Sequence, residues 1–231
     1  MDVIAIIPAR GGSKAIPRKN IKEINGKPLI SYAINECKKS KYINRIIVST
    51  EDEEISEISQ KYGAEVPFLR PKELAEDSTP GIDPIIHCIN WLRDNENYIP
   101  QYVCLLQCTS PFRKFNQINA AFEKLVSEDA DSIVSVCESE ISPYWMKKIQ
   151  NGKMKNFLED DTFHARRQDV PKVYRLNGAI YIAKTDILLK NKNWYTENTL
   201  PYVMDRNSSI DIDDMIDFKF SEFLMKENKN D

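Results

Sequence analysis

No stretch of this 231-residue chain approaches the length of a membrane span. Nor does it open like a secretory leader: Met1-Asp2 starts with an acid, and the apolar run that follows is too short. A formal net charge of -3 gives no overall pull toward nucleic acid or membranes. Two common phosphate-binding signatures are missing: no Gly-Lys-Ser/Thr opens a helix, and there is no Gly-x-Gly-x-x-Gly. The five cysteines, Cys37, Cys88, Cys104, Cys108 and Cys137, are odd in number and contain no Cys-x-x-Cys pair. His87 and His164 do not fall at ligand spacing to them, which removes a Cys/His metal centre. Reduced thiols and a cytoplasmic protein are expected. Internal repeats and low-complexity tracts are absent too.

What is present begins with the first strand and the loop leaving it. The branched apolar run Val3-Ile4-Ala5-Ile6-Ile7 reads as a buried strand ended by Pro8. The loop Ala9-Arg10-Gly11-Gly12-Ser13-Lys14-Ala15-Ile16-Pro17-Arg18-Lys19-Asn20 follows directly. Its adjacent glycines let backbone N–H groups turn toward a close ligand. Its cations Arg10, Lys14, Arg18 and Lys19 repel one another unless an anion sits among them. A triphosphate at the carboxyl end of a parallel strand satisfies both features. A solvated basic loop is the rival reading, and the strand feeding it makes phosphate the stronger one.

Hydrophobic content of 42% and charged content of 29% suit one soluble domain with a substantial core. Helices are predicted over Leu29–Cys37, Glu53–Tyr62, about Asp83–Leu92, Gln117–Ser127 and Met215–Leu224. Strands are predicted over Arg45–Ser49, Glu65–Leu69, Tyr102–Gln107, Ser132–Cys137 and Gly178–Ala183. Strand and helix alternate, so the fold class is α/β with a mostly parallel central sheet. His87 reads as a packed helix residue, since no acid or cysteine is paired with it. Between Ser139 and Arg175 the pattern loosens, with Asn151-Gly152 marking a hairpin between Met146–Gln150 and Lys153–Phe157. That segment, 139–175, is expected to protrude as a small lobe from a single domain over 1–231, because it lacks apolar content for its own core.

The second informative stretch is Ser209-Ile210-Asp211-Ile212-Asp213-Asp214. Period-two alternation puts Asp211 and Asp213 on one face, where two repelling carboxylates make sense around a cation. Few hard oxygen donors near a phosphate site suggest Mg²⁺ with retained waters. The rival is an acidic turn in which Asp213 or Asp214 caps the C-terminal helix.

These blocks together resemble the CMP-sialic acid synthetases (acylneuraminate cytidylyltransferases), from about Ile4 to Leu224. The resemblance is carried by the loop 9–20, Arg70-Pro71, Gln107-Cys108-Thr109-Ser110-Pro111, Asn177-Gly178-Ala179-Ile180-Tyr181 and Ser209–Asp213. It implies a Rossmann-like nucleotidyltransferase fold, and a homodimer whose 139–175 lobe reaches toward the partner's site. It implies CTP plus a nine-carbon 2-keto sugar acid giving the CMP-sugar and pyrophosphate, with no nucleic-acid or membrane partner. By position, Arg10, Gly11, Gly12, Ser13, Lys14, Lys19 and Asn20 would contact the nucleotide, and Arg70, Thr79 and Gly81 the cytosine. Gln107, Thr109, Ser110, Arg167, Asn177 and Tyr181 would line the sugar site. Asp211 and Asp213 would bind Mg²⁺, and Arg10, Lys14, Lys19 and Asp211 would serve the chemistry.

Three positions depart from the family pattern. Ala15 replaces a usual glycine, Cys108 a common proline, and Trp145 stands where sialate enzymes can place a lysine. The last admits a legionaminic or pseudaminic acid acceptor. Two other readings compete, a sugar-1-phosphate nucleotidyltransferase and a non-catalytic nucleotide-binding protein.

Overall fold

A computed structural model describes residues 1–158 and 170–227. Strand β1 (Val3–Pro8) leads through the basic loop to a small hairpin, β2 (Glu23–Ile24) and β3 (Lys27–Pro28). Asn25 and Gly26 at its turn both have positive φ, the conformation an Asn-Gly hairpin turn uses. Then come α1 (Leu29–Lys39), β4 (Ile43–Ser49), α2 (Glu53–Lys61) and α3 (Asp83–Glu96). The second half runs β5 (Tyr102–Leu105), α4 (Phe115–Ser127), β6 (Ser132–Glu138), β7 (Lys147–Gln150), β8 (Lys153–Asn156) and β9 (Tyr174–Lys184). Helix α5 (Thr185–Asn191), β10 (Thr199–Met204) and α6 (Met215–Glu227) complete it.

Six strands form one sheet in the order β10-β6-β9-β5-β1-β4. β1 pairs parallel with β4 and β5, and β10 with β6, while β9 runs against both its neighbours. Five strands therefore share a direction, and β9 is the exception.

Alternation along β1 divides the core. Val3, Ala5 and Ile7 pack with Ile30, Ala33 and Ile34 of α1 and with α4. Ile4 and Ile6 point the other way, onto Ile85, Cys88, Ile89 and Leu92 of α3. Burying each such aliphatic side chain contributes about 1.5–3 kcal/mol, so both faces must be covered for the sheet to persist. A third cluster joins Ile16 of the basic loop to Ile24, Phe112, Ile212 and Phe218. That contact brings the basic loop beside the acidic stretch.

Three elements differ from expectation. Glu65–Leu69 is not a strand: a single parallel bridge joins Ile47 and Glu65, and Pro67, without an N–H, stops the ladder. Strand β10 was not expected because Pro201 interrupts its pattern, yet it is tolerated at the sheet edge. The stretch Ile210–Asp213, despite its strand-like alternation, lies in no strand. The hairpin in the loose segment forms as β7 and β8, with Asn151 and Gly152 at positive φ.

Candidate active site

At the carboxyl ends of β1 and β5 a cleft of about 620 Å³ opens. This is where parallel α/β sheets place ligands. Arg10, Lys19 and Asn20 line it from the basic loop, and Arg70, Thr79 and Gly81 from the segment before α3. Gln107 and Thr109 line the β5 side, facing Tyr181 of β9.

In the basic loop each cation has found a partner. Arg10 Nη2 and Lys14 Nζ both meet the Asp77 carboxylate, at 2.8 and 2.5 Å. Arg18, at φ 57°, is held by Asp52 and Glu54 instead and is scaffold. Lys19 Nζ donates to the Ile212 carbonyl at 2.9 Å, tying the loop to the acidic stretch. Asn20 is buried and donates to the Arg10 carbonyl at 2.9 Å, so it shapes the loop as well as lining the cleft. Gly11 N–H donates to Glu51, whose other oxygen takes Arg70 at 2.8 Å. A Cβ at Gly11 would come within 2.6 Å of Asp52 Oδ2, which is why glycine stands there. Gly11, Gly12, Ser13 and Lys14 do not line the cleft.

Beside Lys19 of this loop the structure gathers Gln107, Thr109 and Asp211. The Ile212 N–H donates to the Thr109 carbonyl at 2.9 Å. Gly178 has φ +69°, and a Cβ there would stand 2.7 Å from Gln107 Oε1 and 3.5 Å from Asp211 Oδ2. Its missing side chain thus leaves room for both groups. Burial holds the Asp211 carboxyl above its ordinary pKa; the Thr109 hydroxyl and Lys19 oppose that, while Asp213 reinforces it. Asp211 Oδ1 is buried without a partner. Burial, Tyr195 and Asp211 push the Tyr181 phenol up to about 12, so it stays protonated and can donate.

Asp213 is exposed. Asp214 is the helix cap: its Oδ1 accepts the N–H groups of Ile216 and Asp217, and Asp217 returns the bond to Asp214 N–H. The capping role thus falls to Asp214; neither Asp211 nor Asp213 is among the residues lining the cleft, although Asp211 lies close to Gly178 and Thr109.

Some expected residues stand elsewhere. Asn177 is buried, donating to Ser209 Oγ and Met204 Sδ and accepting from Ser135 Oγ, and it does not line the cleft. Ser110 is buried and also outside the lining. Arg167 lies outside the described residues. Trp145 stands at a separate hollow on the loose segment, beside Val170 and Lys172. His87 packs edge-on against Phe68, ring centres 4.9 Å apart. Among the described residues no group of three His, Cys, Asp or Glu is assembled to hold a metal ion.

Sequence reading missed Lys192, Trp194 and Tyr195, which close the cleft beyond α5. It also missed Arg113. Arg113 is 1% exposed, and its Nη1 donates to the carbonyls of Gln107 and Ala179 at 3.2 and 2.8 Å. A lone cation after Thr-Ser-Pro gives no signal of burial, and only tertiary packing reveals it.

A family model described as Cytidylyltransferase matches residues 4–229. The chain belongs to the cytidylyltransferase family. It is 36% identical over 236 residues to the CMP-N,N'-diacetyllegionaminic acid synthase of Legionella pneumophila, covering 99% of this chain and 98% of that one. It is 34% identical over 229 residues to the N-acylneuraminate cytidylyltransferase of Escherichia coli, covering 99% of this chain and 53% of that protein. Among solved structures, a CMP:2-keto-3-deoxy-manno-octonic acid synthetase complexed with CTP superposes with a TM-score of 0.73 at 17% identity, over 99% of this chain and 100% of that one. That likeness establishes the fold of this cytidylyltransferase: a nucleotidyltransferase α/β sheet.

Proposed function

We propose that this cytidylyltransferase joins CMP from CTP to the anomeric hydroxyl of a sialic acid or related nonulosonic acid, releasing pyrophosphate. The observation that carries this reading is a cleft lined by Arg10, Lys19, Asn20, Arg70, Gln107 and Thr109, with the Asp211 carboxyl close to Thr109, Lys19 and Gly178.

In this reading the cytosine lies against Arg70 and the Thr79–Gly81 wall, and the triphosphate along Arg10 and Lys19, with Lys14 drawn in from its contact with the lining residue Asp77. Cations fixed in advance stabilise charge on phosphate oxygens as it develops. The acceptor lies between Gln107 and Tyr181, with Arg167 as the bidentate partner of its carboxylate. Its anomeric oxygen bonds to the α-phosphorus, the bond from that phosphorus to the β-phosphate oxygen breaks, and pyrophosphate leaves in line. Asp211, beside Gln107, receives the hydroxyl proton.

Asp211 and Asp213 suit Mg²⁺. Both offer hard oxygens, Asp211 Oδ1 is buried and unpartnered, and no third side-chain acid joins them among the described residues. Phosphate oxygens and water would complete the set that Mg²⁺ favours. When bound, the ion offsets negative charge on the phosphates.

Legionaminic acid is the close alternative acceptor, favoured by a relative of that name aligned along 98% of its own length. A homodimer is supported by apolar surface on the β7–β8 hairpin, where Ile149 is 82% and Met154 74% exposed. Five buried free cysteines support a cytoplasmic setting.

Pyrophosphate release measured with CTP, ATP and GTP against sialic, legionaminic and 3-deoxy-manno-octulosonic acids tests the reading. CTP with one of the two nine-carbon acids should dominate. Comparable turnover with ATP or GTP sinks the nucleotide assignment, and use of the eight-carbon acid alone sinks the acceptor assignment.

A further inference from the structure

Strand β9 loses its regular pairing on both sides at the same place. On the β6 side, Val134 faces Tyr181 and Val136 faces Leu176, so residues 177–180 bulge out opposite Ser135 alone. Ser135 Oγ fills the gap, accepting from Ile180 N–H at 2.7 Å and donating to Asn177 Oδ1 at 2.5 Å. On the β5 side the last ladder pair is Leu105 with Tyr181. Continued in that register, Leu106 would face Ile180 and, one position further, Gln107 would face Ala179. The carbonyls of Gln107 and Ala179 do not bond across the sheet; both accept from Arg113 Nη1. The guanidinium is a wedge between two strands at the point where Gln107 leaves the sheet and Gly178 turns to positive φ.

Burying a guanidinium costs several kcal/mol unless a carboxylate and further hydrogen bonds compensate. Arg113 has neither in full. Its surroundings include the buried thiols of Cys37, Cys104 and Cys108, its Nε has no partner, and nearby Glu36 is committed to Phe115 N–H and Lys39. An apolar residue would fill this space at less cost, so stability does not account for the cation. Geometry does: a single rigid donor reaches both carbonyls and fixes the gap between them.

We propose that Arg113 is a positioning residue for the transfer step, holding Gln107 and the Gly178 bulge where the acceptor must meet them. The proposal rests on the cytidylyl-transfer reading above. Arg113 touches neither substrate and acts through Gln107 and the bulge. A misplacement of about 1 Å in such a group costs about 10²-fold in rate. On the nucleotide side Arg10 and Arg70 are held by Asp77 and Glu51, not through Arg113.

The test compares Arg113→Lys, Gln107→Ala, their double variant and Ser135→Ala. CTP affinity is read by calorimetry, acceptor kcat/KM by pyrophosphate release, and Tm by scanning calorimetry. Arg113→Lys should lower acceptor kcat/KM about 10²-fold and leave the Kd for CTP within about twofold of wild type. The double variant should lose clearly less than the combined losses of the two single variants, because Arg113 acts in part through Gln107. Ser135→Ala loosens the same bulge without stranding a buried charge, and should lower the acceptor term while CTP binding holds. It carries the test if the Arg113 variants fail to fold. Additive losses, an equal loss of CTP affinity, or an unchanged acceptor term in Ser135→Ala would overturn the proposal. Wild-type enzyme that releases no pyrophosphate with any of the acids defeats the functional reading, and this inference with it. Wild-type turnover with a fully active Arg113→Lys defeats the inference alone.

Discussion

Gly178 is the residue on which the site's geometry turns, and its sequence signal was ambiguous. A glycine in a strand marks a bulge or a close approach, and here it marks both. Gly178→Ala forces a side chain into left-handed backbone, which costs about 1–2 kcal/mol, and drives a methyl against Gln107 Oε1. We expect a lower Tm together with a loss of acceptor turnover. Gly12→Ala, with nothing within 4 Å of the added carbon, should leave Tm unchanged. Equal Tm values for the two variants would contradict this account. At Asp211 the expectation runs the other way. Burial already disfavours its charged form, so Asp211→Asn should not lower Tm, while turnover falls about 10²–10³-fold as a preorganised charge is lost. Asp213→Asn should lose comparable turnover, and an unchanged Mg²⁺ dependence in both would remove the metal from Asp211 and Asp213.

The elements that hold the site vary in how far local sequence announces them. Helix α2 was plain: Asp52 accepts from Ile55 N–H at 3.0 Å at its start, and Gly63 stands just past its end with φ +92°. Asp52 also grips Arg18, so the same carboxylate anchors the basic loop. That hydrogen bond to Arg18, ahead of the backbone bond from Ile55, holds its pKa below the ordinary value. A depressed carboxylate contributes stability that is complete above the unfolded pKa and is lost as pH falls through the folded one. Asp52→Ala should cost about 1 kcal/mol near pH 7, and its Tm gap to wild type should close as pH drops below about 4. A gap independent of pH would show the cap acting without its charge. By contrast, β10 was hidden because Pro201 breaks the alternation that identifies a strand, and only its edge position makes the proline harmless. The bulge in β9 was illegible for a different reason. Its cause lies in Ser135 and Arg113, far away in sequence, and no window along 174–184 contains them. Asn177 was taken for a substrate contact for the same reason: its buried partners Ser135 and Ser209 sit on other elements.

For the molecule as a whole, the exposed apolar side chains are unevenly spread. Ile149, Met154 and Phe157 project from the β7–β8 hairpin, and Leu176 and Val203 are exposed on β9 and β10. A second copy of the chain would remove such surface from water at about 25 cal/mol per Å². Wild-type protein should sediment as a dimer at micromolar concentration, and Ile149→Lys with Met154→Lys should shift it to monomer without loss of secondary structure. A monomeric wild type would assign the hairpin some other partner.

The basic loop was read as four like charges waiting for a triphosphate, yet the folded chain supplies carboxylates to three of them. Arg10 and Lys14 converge on Asp77, and Arg18 is held by Asp52 and Glu54. The molecule thus carries its own counter-ion. If the proposed nucleotide site is right, the incoming phosphates must exchange places with Asp77 and do not meet an uncompensated positive well. Raising ionic strength weakens the outgoing Asp77 contacts together with the incoming phosphate contacts. Nucleotide affinity should therefore decline more gently with salt than a count of the loop's cations suggests, and Asp77→Asn should steepen that decline while tightening binding at low salt.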